Sequence, residues 1–80
     1  MHYVYILKSP KQLYIGYTNN LMRRFMEHQK GFSKATRNRG SWEIVYYEAC
    51  VSNIDALKRE KYLKTAWGRR YINSRLKNSL

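Results

Sequence analysis

Hydrophobic and polar positions change period several times along the chain, and each change marks an element. Residues 3–8, YVYILK, are β-branched and aromatic, with apolar groups on both alternating sides. That pattern predicts a central strand covered on both faces. SPKQ at 9–12 holds the single proline and reads as a turn. LYIGYT at 13–18 is strand-like again, so the two segments predict a hairpin. Gly16 within the second strand marks a place where another group approaches the backbone closely.

The period then becomes helical. Asn19 or Asn20 caps a helix running to about Lys30, with Gly31 as its stop. Leu21 with Phe25 and Met22 with Met26 are its apolar pairs, and Arg24 with His28 forms another i,i+4 pair on a neighbouring face. A basic, glycine-bearing loop at 30–41 leads into a third strand, WEIVYYEA at 42–49. Ser52 and Asp55 have a capping-box-like spacing and open a second helix, expected to run through about Trp67. Gly68 is expected to break it, leaving a short final helix at 69–77. The order β-β-α-β-α-α predicts a small α/β (α+β) fold, a three-stranded antiparallel sheet flanked by helices, with 1–80 as a single domain.

Composition bounds what such a fold can be. Eighty residues can fold alone, but one small core leaves little stability to spare. Twelve aromatics, eight of them tyrosine, partly offset this because each buries a large area. Cys50 is alone and cannot form an internal disulfide, which favours a reducing compartment. The longest apolar runs fall far short of the ~20 residues that span a bilayer. Strand pattern follows Met1 directly, leaving no room for a signal peptide. The expectation is a soluble, cytoplasmic protein with no membrane partner.

Charge changes the picture most. Sixteen Lys and Arg against five acids give a net charge of +11. A chain this basic repels itself unless a polyanion is near, which points to nucleic acid. Ribosome or membrane association, or simply a solubilising surface, is the competing explanation, but no basic amphipathic helix with a bulky apolar face stands alone.

The five acids can be taken singly. Asp55 is accounted for by capping, and Glu43 and Glu48 sit in or at the end of the third strand. Glu27 lies among arginines and suits an i,i+4 pair with Arg23. Glu60 differs. Ala56, Glu60, Leu63 and Trp67 fall on one helical stripe, while Lys58, Arg59, Lys61 and Lys64 occupy most of the remaining circumference. A carboxylate turned toward a core is costly unless paired or bound to metal. Glu60 is therefore either half of a buried ion pair with an arginine or a ligand for a divalent cation.

Together these residues carry a resemblance. Tyr3-Val4-Tyr5 and Tyr14-Ile15-Gly16, with the second tyrosine nine positions after Tyr5, are followed by NNLMRRFMEH, ATRNRGSWEIVYYE and ALKREKYLK. The ordered set resembles the GIY-YIG nuclease superfamily over nearly the whole chain. The likeness is to small stand-alone members related to the N-terminal nuclease domain of the excinuclease C subunit. The first motif carries Tyr3 in place of its glycine, a departure at a backbone position rather than at a catalytic side chain. The resemblance implies that Tyr5 and Tyr14 are the motif tyrosines and Arg24 the helix arginine. It implies that His28 is the histidine four residues further on and Glu60 the metal-binding glutamate, with Gly16 and Asn73 in support. It also implies one Mg²⁺ or Mn²⁺ ion.

The chemistry asks for these groups. Phosphodiester hydrolysis needs a nucleophilic water, neutralised charge at phosphorus and a protected leaving oxygen. An ion on Glu60 would act as a Lewis acid, and the planar fork of Arg24 suits the scissile phosphate. Tyr5 could take the water's proton if a nearby cation lowered its pKa from ~10. His28, with a reference value of ~6.5, is the alternative base or relay, and Tyr14 would orient water or phosphate. Which of the three moves the proton stays open. Singly, Tyr5 and Tyr14 also read as cross-strand core aromatics, and Arg24 and His28 as a solvated helix face.

Lys34, Arg37, Arg39, Lys58, Arg59, Lys61, Arg69 and Arg70 would track a phosphate backbone. No element looks like a base-reading helix, so structure selectivity is expected rather than sequence reading. The leading expectation is a metal-dependent DNA endonuclease acting on branched, nicked or damaged DNA in repair or recombination, with RNA left open as substrate. The alternative is a non-catalytic nucleic-acid-binding module that retains the fold.

Overall fold

The computed structural model describes residues 1–31 and 41–80. Its elements are β1 (His2–Lys8), β2 (Leu13–Thr18), α1 (Leu21–Gln29), β3 (Glu43–Cys50), α2 (Asn53–Leu63) and α3 (Ala66–Arg75). The strands form one antiparallel sheet in the order β2-β1-β3. β1 is therefore central, which is why it is apolar on both sides. Val4 and Ile6 pack with Ala56, Leu63, Ile72 and Leu76 under α2 and α3. Tyr5 and Leu7 pack on the opposite face with Trp42 and, from α1, Leu21 and Phe25.

Local chemistry sets the register. The Ser9 hydroxyl accepts from the backbone N–H groups of Lys11 and Gln12, closing the β1–β2 turn so that Lys8 faces Leu13 and Tyr5 faces Gly16. The β1–β3 pairing slips between Ile6 and Leu7, which face Tyr46 and Ile44. Val45 is the extra residue of that bulge. It packs with Tyr46 toward α2 and α3, whereas Ile44 packs toward α1. Asn20 caps α1 by accepting from the Arg23 N–H, and Gly31 ends it with φ of 79°.

The second helix is shorter than its periodicity suggested. α2 stops at Leu63, and the Thr65 hydroxyl opens α3 by accepting from Gly68 N–H while donating to the Tyr62 carbonyl. Gly68 is thus no breaker. It is buried inside α3, where a Cβ would overlap the Tyr62 carbonyl oxygen and the Leu63 backbone. Its missing side chain lets α3 fold back against the end of α2. Trp67, expected on the core stripe of the second helix, belongs to α3 and is 68% exposed.

Candidate functional site

Three elements converge on the α1 face of the sheet. Tyr5 comes from β1, Tyr14 from β2 and His28 from the last turn of α1. Tyr5 Oη lies 2.9 Å from His28 Nε2, and the Tyr14 ring centre lies 4.8 Å from that of His28. Tyr5 is 1% exposed and His28 is 2% exposed. Gly16, directly across from Tyr5, makes this possible. A Cβ there would stand 2.5 Å from Tyr5 Oη and 3.0 Å from Tyr14 Cε1. The group that approaches the backbone at Gly16 is therefore the phenol of Tyr5. Trp42 closes the cluster against Tyr14, and its backbone N–H donates to Gln29 Oε1 at 3.2 Å.

Arg24 stands one turn before His28. Its Nη1 donates to Glu27 Oε1 at 2.9 Å, so Glu27 pairs with Arg24 rather than with Arg23. That hydrogen bond raises the guanidinium above its ordinary pKa and lowers the carboxyl. The Arg24 charge also acts on Tyr5. Burial, aided by Tyr14, pushes Tyr5 up to about 12, while Arg24 pulls the other way. Burial, reinforced by the Arg24 charge and opposed by Glu27, brings His28 down to about 4. At neutral pH the site is a phenol hydrogen-bonded to an uncharged imidazole, with a permanent cation beside them. Either ring nitrogen can carry the imidazole proton, so Nε2 can accept from Tyr5 or donate to it.

Glu60 lies on α2, and its side chain is 21% exposed. Lys64 Nζ donates to Glu60 Oε2 at 3.2 Å, so its partner is a neighbouring lysine and not an arginine. The arginine pair belongs to another acid, Glu48. Arg59 grips it with Nε to Oε1 at 2.9 Å and Nη2 to Oε2 at 3.0 Å, while Tyr46 donates to Oε2 at 2.8 Å. The guanidinium also stacks 4.7 Å from the Tyr71 ring centre and 5.3 Å from that of Tyr62. The signal for this pair was strand alternation, which puts Glu48 on the same face as Tyr46. Its helix partner had no signal in sequence.

A cleft of about 650 Å³ runs beside β2, and Lys11, Tyr14, Lys64, Arg69 and Asn73 line it. Tyr14 and Asn73 thus share one opening, and Glu60 is tied to it through Lys64. Among the described residues no three His, Cys, Asp or Glu side chains group as a metal site. The donor set at Glu60, one partly exposed carboxylate held among the described residues by a lysine, fits a hard cation that keeps most of its water shell. Lys58, Lys61 and Arg70 are exposed. Arg59 differs from them, since Glu48 holds its guanidinium. Lys34, Arg37 and Arg39 lie outside the described residues.

Two strand tyrosines brought to a helix-borne arginine and histidine on this sheet define the class. The family described as GIY-YIG catalytic domain matches residues 1–73, and the chain belongs to it. That places the protein in a superfamily of nucleases, whose substrate is nucleic acid. Within it, the chain is similar to a UPF0213 protein of Clostridium perfringens, 46% identical over 66 residues that cover 80% of this chain and 71% of that one. It is also similar to a UPF0213 protein of Oceanobacillus iheyensis, 43% identical over 65 residues, 79% of this chain and 76% of that one. The solution NMR structure of a UPF0213 protein from Bacillus halodurans superposes with a TM-score of 0.57 at 34% identity, covering 91% of this chain and 82% of that one. No helix of the described residues is long and apolar enough to cross a membrane.

Proposed function

We propose that this protein is a divalent-metal-dependent endonuclease that hydrolyses phosphodiester bonds in DNA, selecting branched, nicked or damaged structure in repair or recombination. The observation that carries the reading is the hydrogen bond between Tyr5 and His28 beside the Arg24 cation. Tyr5 takes the proton of the attacking water as its own hydrogen passes to His28 Nε2. Tyr5 ends this relay as a neutral phenol and His28 as an imidazolium, so the Arg24 charge opposes the transfer until phosphate binds; its remaining donors hold the scissile phosphate. An anionic phosphate on Arg24 also offsets the charge that weakens His28 as a base, so substrate binding raises the imidazole's affinity for the proton. Tyr14, at the cleft, orients water or phosphate. Glu60 would hold Mg²⁺ or Mn²⁺, which when bound supplies Lewis-acid stabilisation of the phosphate oxygens. Gly16 keeps room for the Tyr5 hydroxyl, and Asn73 lines the cleft from α3. Lys58, Lys61, Arg69 and Arg70 attract the phosphate backbone, and the protein acts in the cytoplasm.

The test is a panel of branched, flapped, nicked, single-stranded and duplex DNA, with RNA alongside, in Mg²⁺ or Mn²⁺. Cleavage is expected to vanish in Glu60→Ala and Arg24→Ala while binding persists; cleavage that survives both changes ends the assignment. The near-complete burial of Tyr5 and His28 favours one alternative, a non-catalytic nucleic-acid-binding module in which both are core groups. It predicts steeply salt-dependent binding with no turnover under any divalent ion.

A further inference from the structure

The two tryptophans have opposite surroundings. Trp42 is 3% exposed, whereas Trp67 in the first turn of α3 is 68% exposed. A tryptophan can bury roughly 150–250 Å² of surface, so leaving one in water forgoes a large gain. The ring is nevertheless held in place. The Arg70 guanidinium sits 4.9 Å from its centre and covers one face. With two-thirds of the residue in solvent, the other face is open.

Its position relates it to the cleft. Around α3, Asn73, Arg70 and Trp67 follow one another in steps of about 60°, as helical spacing requires. Asn73 and Arg69 line the cleft that also holds Tyr14. A strand leaving that opening over α3 meets Arg70 and then the open face of Trp67. The surroundings also select the occupant. Lys64, Arg69 and Arg70 flank the ring in sequence, on a chain of net charge +11. A second copy of so basic a surface is repelled, while a polyanion is drawn in.

We propose that Trp67 is a stacking platform for an unpaired nucleobase, backed on its far side by Arg70, with the adjoining phosphates in the cleft. This rests on the reading of that cleft as a nucleic-acid site and deepens it. A base in a duplex already stacks on its neighbours and cannot take the platform without being freed. A base in a single strand, flap or junction can, and aromatic stacking accepts any of the four bases. Trp67 therefore supplies preference for unpaired structure, which the charged residues cannot supply.

The test is binding in metal-free buffer, where cleavage plays no part. A short fluorescein-labelled single strand, the same strand with abasic sites, and a blunt duplex are titrated with wild type, Trp67→Ala, Trp67→Phe and Arg70→Gln. Trp67→Ala is expected to weaken single-strand binding about tenfold and leave duplex and abasic binding within about twofold. Trp67→Phe should keep most of the affinity. The salt slope should be unchanged in Trp67→Ala and fall by about one in Arg70→Gln. Equal weakening on single strand and duplex, or no weakening on the single strand, overturns the platform alone. Failure of wild type to bind any of the three overturns the nucleic-acid reading of the cleft and this proposal with it. A change in sedimentation mass on Trp67→Ala shows that a second copy covers the ring, and overturns the proposal in that direction.

Discussion

The two faces of the sheet use the same kinds of side chain to opposite ends. Each brings an arginine, a glutamate and a pair of tyrosines together. On the α2/α3 face the set closes on itself. Arg59 grips both oxygens of Glu48, Tyr46 donates to the same carboxylate, and the Tyr71 hydroxyl lies 3.2 Å from that of Tyr46. Burial pushes Glu48 upward, but the hydrogen bonds from Arg59 and Tyr46 outweigh it and hold the carboxyl below its ordinary range. Burial raises Tyr46, with Tyr71 and Glu48 adding to it. On the α1 face Arg24 bonds to Glu27 at the rim, and its charge reaches the Tyr5 phenol, which is bonded to a neutral imidazole. A cation that grips both oxygens of a carboxylate locks two elements together. A cation that meets phenols retains a field and donors for an incoming phosphate.

If the contrast is right, breaking the open face costs activity and breaking the closed face costs stability. Tyr5→Phe should lower kcat by about a hundredfold or more, the scale of lost proton transfer. Its stability, measured by thermal melting, should fall by what one hydrogen bond provides, about 1 kcal/mol. A Tyr5→Phe enzyme that turns over at the wild-type rate would remove the chemical role from this face.

The next effect is in pH. His28 binds its proton near pH 4 in the folded chain, whereas an unperturbed histidine titrates near 6.5. Between those values the unfolded chain holds the extra proton, so stability is full above about pH 6.5 and falls as pH drops toward 4. The loss reaches up to about 3 kcal/mol, and denaturant midpoints measured across that window should lose this slope in His28→Phe. Tyr5 gives the alkaline counterpart: with its pKa raised to about 12, stability falls as pH climbs from 10.

On the closed face, Arg59→Ala strands the partly buried Glu48 and removes ring packing. The expected cost is about 2 kcal/mol, a drop of roughly 10 °C in Tm. Well below that temperature kcat should stay within about twofold. A large kcat loss in a folded Arg59→Ala protein would show that the two faces are coupled. The smallest effect is Tyr71→Phe, which removes only the contact between the Tyr46 and Tyr71 hydroxyls. It should cost about 1 kcal/mol or less by thermal melting, with cleavage untouched.

Much of the fold was legible because its signals are local. Two-sided apolarity in β1, the Ser9–Gln12 turn, the asparagine cap of α1 and the Ser52 cap of α2 each act within a few residues. Gly16 was legible as a point of close approach, though not what approached. At the second helix two local signals compete. Gly68 looked like a stop, while the Thr65 hydroxyl two residues past Leu63 had already ended one helix and begun another. Gly68 instead answers a contact with Tyr62 and Leu63 that exists only once α3 has folded back.

The site divides along the same line. Residue types and spacing alone determined the strand and helix order, the basic character and the short set of groups able to do phosphodiester chemistry. Periodicity and charge are properties of neighbouring residues, and a sequence displays them directly. Tertiary structure alone decided that Arg59 belongs to Glu48, that Glu60 pairs with Lys64, and that Tyr5 reaches His28 across the space left by Gly16. Partner choice among side chains far apart in the chain depends on which faces the sheet and helices press together, and that geometry does not exist until the core has formed.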